Sequence, residues 1–141
     1  SDIIGLECSG RIAALGPAAA AVHVHDPVAH ADMASWYAAA DVYLSTSRRE
    51  GSNYSLIEAL SCGCAPAVSD TPPHRAIVGS LAAPFGVGDA HAAAEAIVAA
   101  STLPRAAASA HSQQHLGWPA VARQLRDVYS TLAYARVVNI A

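Results

Sequence analysis

Arg48-Arg49-Glu50-Gly51-Ser52-Asn53-Tyr54-Ser55-Leu56-Ile57-Glu58-Ala59-Leu60-Ser61-Cys62-Gly63 decides how this chain is read. Just upstream, Asp41-Val42-Tyr43-Leu44-Ser45-Thr46 has an apolar centre suited to a buried strand. After the turn, Leu56, Ile57 and Leu60 fall on one side of a helix, and Gly63 is a natural C-terminal stop. Ser52 or Asn53 is placed to cap that helix, since a side-chain oxygen there can accept from an unpaired first-turn amide. Gly51 offers backbone freedom or close approach. The pattern is strand, polar turn, helix. It sets the turn at the carboxyl end of a buried strand and at a helix N-terminus, an edge where free amides and the helix dipole favour anions.

Two carboxylates bracket the turn. Glu50 leaves the strand, and Glu58 lies about a turn and a half into the helix. A carboxylate beside a phosphate would repel it, whereas it accepts readily from hydroxyls, two at a time. The pair therefore suits a ligand with phosphate in its middle and a sugar at each end. An ordinary β-α turn with a solvated glutamate on either side accounts for the same residues equally well.

The spacing Glu50, seven residues, Glu58, followed by Ala59-Leu60-Ser61-Cys62-Gly63-Cys64-Ala65-Pro66-Ala67-Val68-Ser69-Asp70, resembles the E-x7-E region of retaining GT-B glycosyltransferases. It is most similar to the group that contains mannosyltransferases, glycogen synthases and sucrose synthases. Upstream, Trp36-Tyr37-Ala38-Ala39-Ala40-Asp41-Val42-Tyr43-Leu44-Ser45-Thr46-Ser47 resembles that group's L-Y-x-x-A-D-(V/L)-x-(V/L)-x-P-S segment. The resemblance is strongest from Met33 to Asp70 and continues weakly to Tyr129. It implies a Rossmann-like α/β/α domain with a parallel sheet, the C-terminal, donor-binding half of a GT-B enzyme. On that resemblance Glu50 holds hydroxyls of the transferred sugar and is the candidate catalytic residue, and Glu58 holds the ribose hydroxyls. Gly51, Ser52, Asn53 and Tyr54 contact the sugar and diphosphate. Arg48 and Arg49 stand near the phosphates, and His25 lies in a loop near the base.

Three departures from the family pattern stand out. Ser52-Asn53 replaces an aromatic residue and glycine, and Arg75-Ala76-Ile77-Val78 lacks the glutamate common at that helix start. The family's first donor-domain strand, and the arginine and lysine that grip the diphosphate, have no match; all eight basic residues here are arginine. The resemblance therefore implies an N-terminal GT-B domain outside this chain, and a chain inactive alone.

Length and composition set the outer bounds. A chain of 141 residues is one domain by length; the family resemblance implies a core over residues 1–130 and a tail, 131–141, that packs on the N-terminal domain. A net charge of -3 gives no reason to expect nucleic acid. With no membrane-length apolar run and no leader, the chain reads as soluble and cytoplasmic, any membrane contact being peripheral. Cys8, Cys62 and Cys64, an odd number without scaffold spacing, argue against a disulfide framework. His23, His25, Asp26, His30 and Asp32 are the densest set of potential metal ligands, but their spacing matches no zinc pattern. No metal or cofactor is expected.

Elsewhere the pattern gives a strand near residues 3–6, a short helix over 11–15 and a strand over 20–25. It gives a helix over 30–40 whose stripe of Met33, Trp36, Tyr37 and Ala40 faces the sheet. A strand follows over 65–68, tolerating Pro66 near its start, then a helix from His74 and another over 90–100 capped by Asp89. Two tail helices come last, over 104–116 and from Trp118 to about Ala135. The second carries Val121, Leu125, Val128 and Leu132 on one apolar stripe. The functional expectation is transfer of a sugar from a nucleotide diphosphate sugar to an unidentified acceptor, with retention and without metal. The alternative is a non-catalytic Rossmann-like scaffold or interaction module descended from a transferase.

Overall fold

The computed structural model describes residues 3–5 and 28–138, with side chains over 28–132. The readings of a helix over 11–15, a strand over 20–25, and Cys8, His23, His25 and Asp26 lie outside the described residues. Among the described residues three strands form one parallel sheet in the order β1 (Ile3–Gly5), β2 (Val42–Ser45), β3 (Ala65–Val68). Ile3 pairs with Val42 and Val42 with Ala65, so all three strands point their carboxyl ends the same way. Phe85 extends this edge through a parallel bridge to Ser69.

Alternation along the strands sends side chains to two faces. Val42, Ala65 and Ala67 pack against Ala96, Ile97, Ala100 and Leu103, which come from α4 (Ala90–Ser101) and the turn after it. Tyr43 and Val68 pack on the other face against Tyr37 of α1 (Met33–Ala39), against Leu56, Ala59 and Leu60 of α2 (Tyr54–Ser61), and against Ile77 and Val78 of α3 (Pro72–Val78). Ala108 of α5 (Arg105–His111) completes that cluster. Helices thus cover both faces, the three-layer α/β/α arrangement expected from the sequence. Leu56 and Leu60 are fully buried, which at about 1.5–3 kcal/mol each makes α2 the most firmly held helix on its face.

Pro66 fits because of strand phase. Ala65 N donates to Asp41 O at 2.8 Å and Ser69 N to Ser45 O at 2.9 Å, so the odd residues of β3 face β2. The imide nitrogen of Pro66 faces away from that ladder and costs it no bond.

A second device sits at the opposite edge. The Arg105 guanidinium donates to Ala40 O, to Ala38 O at 2.9 Å and to Cys62 O at 3.0 Å. It satisfies carbonyls that the C-terminal ends of α1 and α2 leave unpaired. Gly63, at φ +89°, passes so close that a Cβ there would meet Arg105 Cβ and its carbonyl oxygen at 3.3 Å.

Several boundaries differ from expectation. The 30–40 helix opens as a 3₁₀ turn, His30–Asp32, before α1. On its stripe Tyr37 and Ala40 are buried, but Trp36 is 37 % exposed. The third helix starts at Pro72 rather than His74, with Thr71 as its cap. Asp89 caps α4 through Ala92 N at 2.9 Å, as expected. The 104–116 helix is α5 followed by a π-helical turn, Ser112–Leu116. The last helix, α6 (Trp118–Val138), outruns its expected end. Leu125, Val128 and Leu132 on its stripe are more than half exposed, so amphipathic periodicity here does not mark a contact within the described residues. No helix among them is long and apolar enough to cross a membrane.

Gly63→Ala is expected to cost about 1–3 kcal/mol in denaturant unfolding, from the positive φ and the contact with Arg105. Cys64 is fully buried and its thiol donates to Tyr37 O at 2.9 Å. Burial pushes its pKa up to about 11, against the lowering influence of Arg105. Alkylation of the folded protein at pH 8, mapped by peptide mass, should therefore leave Cys64 unmodified while the half-buried Cys62 reacts. Because the folded value is raised, the contribution of Cys64 to stability is complete below the unfolded pKa and declines as pH rises from about 9 to 11.

Candidate functional site

β2 ends at Ser45 and α2 begins at Tyr54; the turn between them carries Arg48, Arg49, Glu50, Gly51, Ser52 and Asn53 at the carboxyl edge of the sheet. Asn53, not Ser52, is the cap. Its Oδ1 accepts from Leu56 N at 3.0 Å. The Tyr43 and Ser55 hydroxyls also reach this oxygen, at 3.2 and 2.8 Å, and stand 2.9 Å from each other. Asn53 Nδ2 lies 2.9 Å from His74 Nε2. Asn53 is 5 % exposed and Tyr43 and His74 still less, so this is a buried polar cluster in which each member has a partner.

His74 joins the turn to the next β-α connection. Its Nδ1 is 2.7 Å from Ser69 O, just past the end of β3. The Ser69 hydroxyl in turn donates to Ser47 O, at the far side of the β2–α2 turn. Two loops at the same sheet edge are thereby tied together from beneath. Glu50 lies on this cluster: its Oε1 is 3.9 Å from His74 Nε2 and its side chain is 15 % exposed.

Glu58 has different neighbours. It is partly exposed on α2, and its charge, after burial, helps drive the Tyr37 phenol above its ordinary range. Glu50 is thus set against the start of α3, while Glu58 is carried on α2 itself. Gly51 is exposed, and a Cβ there would meet nothing within 4 Å. The φ of Gly51 is not positive, so the turn does not need glycine for its conformation, and what remains is open space above it among the described residues. Arg48, Arg49, Ser52 and Tyr54 are exposed, Tyr54 to 71 %. Arg75, where the family pattern departs, forms a two-point ion pair with Asp70 on the surface.

The structure therefore brings Glu50, Gly51, Ser52, Asn53 and Tyr54 to one edge but divides them by depth. The Asn53 side chain is consumed beneath the turn, while the others face solvent or lie at its margin. Two hollows of about 330 and 320 Å³ lie elsewhere, along α6 and between α3 and the π-helical turn, and neither borders Glu50 or Glu58. Among the described residues the site is an open platform. Among the described residues no three His, Cys, Asp or Glu side chains are grouped to hold a metal ion.

Sequence reasoning missed His74, Tyr43, Ser55 and Ser69 as parts of this site. Their positions are 5 to 31 residues apart along the chain, so no local spacing connects them. The one usable signal was chemical: a polar side chain on a strand or helix that packs inward requires partners.

Asn53→Ala removes a cap and takes from the buried His74 Nε2 its amide partner. A loss of about 2–4 kcal/mol is expected in chemical denaturation, against about 0.5 kcal/mol or less for Ser52→Ala.

No curated protein matches the chain. A family model described as glycosyl transferases group 1 matches residues 3–102, more than half of the 141 residues and all of the sheet and turn described above. With a parallel sheet covered on both faces and its polar turn at the carboxyl edge, the chain belongs to the group 1 glycosyltransferases and has the architecture of a Rossmann-like half of a GT-B fold.

Proposed function

We propose that this chain is the donor-binding half of a retaining glycosyltransferase that takes its sugar from a nucleotide diphosphate sugar. The observation carrying this reading is the edge of β2 and α2. A capped helix N-terminus stands there beneath open space at Gly51, with one carboxylate at the turn and another on the helix. The dipole and remaining first-turn amides of α2 suit a diphosphate. Glu50, held at the platform margin, accepts from hydroxyls of the transferred sugar, and Glu58 accepts from the ribose. Ser52 and Tyr54, exposed on the turn, are the side chains that line the diphosphate and sugar, and Asn53 contributes by shaping the turn rather than by touching the donor. Arg48 and Arg49 add positive charge nearby.

Such a platform leaves one side of the donor open to water. Chemistry at the anomeric carbon then requires a second domain to close over it and present the acceptor, in a cytoplasmic setting with at most peripheral membrane contact. No metal is needed in this reading, because the diphosphate charge is met by amides and arginines.

The test is Glu50→Ala combined with Glu58→Ala in the full-length protein. Titration calorimetry with UDP-glucose, GDP-mannose and ADP-glucose identifies the donor the unaltered protein binds. The double variant should bind that donor about 100-fold or more weakly, from two lost charge-assisted hydrogen-bond sets, while unfolding within about 1 kcal/mol of the unaltered protein. Unchanged donor affinity would reject the assignment, and an unfolded variant would make the two carboxylates architectural.

A further inference from the structure

We infer that His74 is a positioning residue: as a neutral imidazole with a fixed tautomer it pins the turn that carries Glu50, through Asn53 and Ser69, and leaves the Glu50 carboxylate free for the sugar; this rests on the donor-site reading above. The tautomer follows from the partners. Ser69 O, 2.7 Å from Nδ1, is a carbonyl and only accepts, so Nδ1 carries the hydrogen. Asn53 Oδ1 is occupied by the Leu56 amide and approached by the Ser55 and Tyr43 hydroxyls. The other end of that amide, Nδ2, therefore faces His74 Nε2 at 2.9 Å and donates to it. A hydrogen on Nε2 would set donor against donor, so Nε2 keeps its lone pair.

That choice has a consequence for Glu50. Its Oε1 lies 3.9 Å from an Nε2 that has no hydrogen to give. The carboxylate rests on the ring edge without being captured by it, and its lone pairs stay available to hydroxyls. A cation in the same place would draw Glu50 into an ion pair and take those lone pairs from the sugar. The ring is fully buried and is pinned at both nitrogens, to the end of β3 and to the cap of α2. Its position is thus set by the two loops that also form the platform. His74 does not reach solvent; it acts through Asn53 and Ser69.

The test separates the sugar part of donor affinity from the nucleotide part in the full-length protein. His74→Asn keeps a donor near the Nδ1 position and loses the acceptor at Nε2. His74→Gln keeps an amide oxygen near Nε2. The probe is whichever of UDP-glucose, GDP-mannose or ADP-glucose the unaltered protein binds, with the matching free nucleotide diphosphate as its control. His74→Asn should weaken the nucleotide sugar by about tenfold and leave the free nucleotide within about twofold, and His74→Gln should restore the difference to within about threefold. Equal weakening of both ligands, or no change in either, overturns the inference. Glu50→Gln is run alongside. If it too leaves the sugar increment intact, the donor-site assignment itself fails; if it abolishes the increment while His74→Asn does not, only the role of His74 falls. Independently of any variant, ¹⁵N–¹H imidazole correlations of the unaltered protein at pH 7 should show His74 as the Nδ1–H tautomer. An Nε2–H or doubly protonated ring overturns the inference even where His74→Asn does not fold.

Discussion

One oxygen atom, Asn53 Oδ1, is where the polar architecture of this domain converges. It caps α2 through Leu56 N and is reached by the hydroxyls of Tyr43 and Ser55. Because that oxygen is fully engaged, the amide nitrogen of the same side chain has only one direction left, toward His74. A strand, a helix cap and the next loop are thereby locked by a single side chain. Buried polar clusters of this kind are costly when incomplete and rigid when complete, and among the described residues no buried side-chain N or O atom is left without a partner.

Rigidity beneath the turn explains why its upper surface can remain open. Gly51 carries no backbone strain and no close neighbour, and Ser52 and Tyr54 stand in solvent. A site that must accept a large polar ligand gains from a floor that does not move when the ligand arrives. The other edge of the sheet has a comparable clasp in Arg105, whose guanidinium gathers the carbonyls that close α1 and α2. Each end of α2 is thus fixed by one polar side chain, Asn53 at the start and Arg105 at the end, while Leu56 and Leu60 bury its middle.

A donor bound across this edge would meet its two carboxylates in unlike settings. Glu50 is mostly covered and sits against a buried imidazole, whereas Glu58 is partly exposed and its charge is felt by the Tyr37 phenol. In the function proposed above, that asymmetry would match two different tasks, orientation of the transferred sugar by Glu50 and hydroxyl acceptance at the ribose by Glu58.

The order of strands and helices from Met33 onward was legible in the sequence because it rests on short-range rules. The buried run of β2, the Asn or Ser before an apolar helix, Gly63 after it and Asp89 before α4 each act within a few residues. The spacing of Glu50 and Glu58 was legible for the same reason, and with it the family. Periodicity alone misled on Trp36, because it reports which side chains share a face and not whether anything covers that face; on α6 it gave the stripe, which is exposed among the described residues. What only the tertiary structure decided is the choice of Asn53 over Ser52 as cap and the joining of Tyr43, Asn53, Ser69 and His74 under Glu50. Those residues come from two successive β-α connections, and the packing of parallel strands side by side brings the ends of those connections together at one edge.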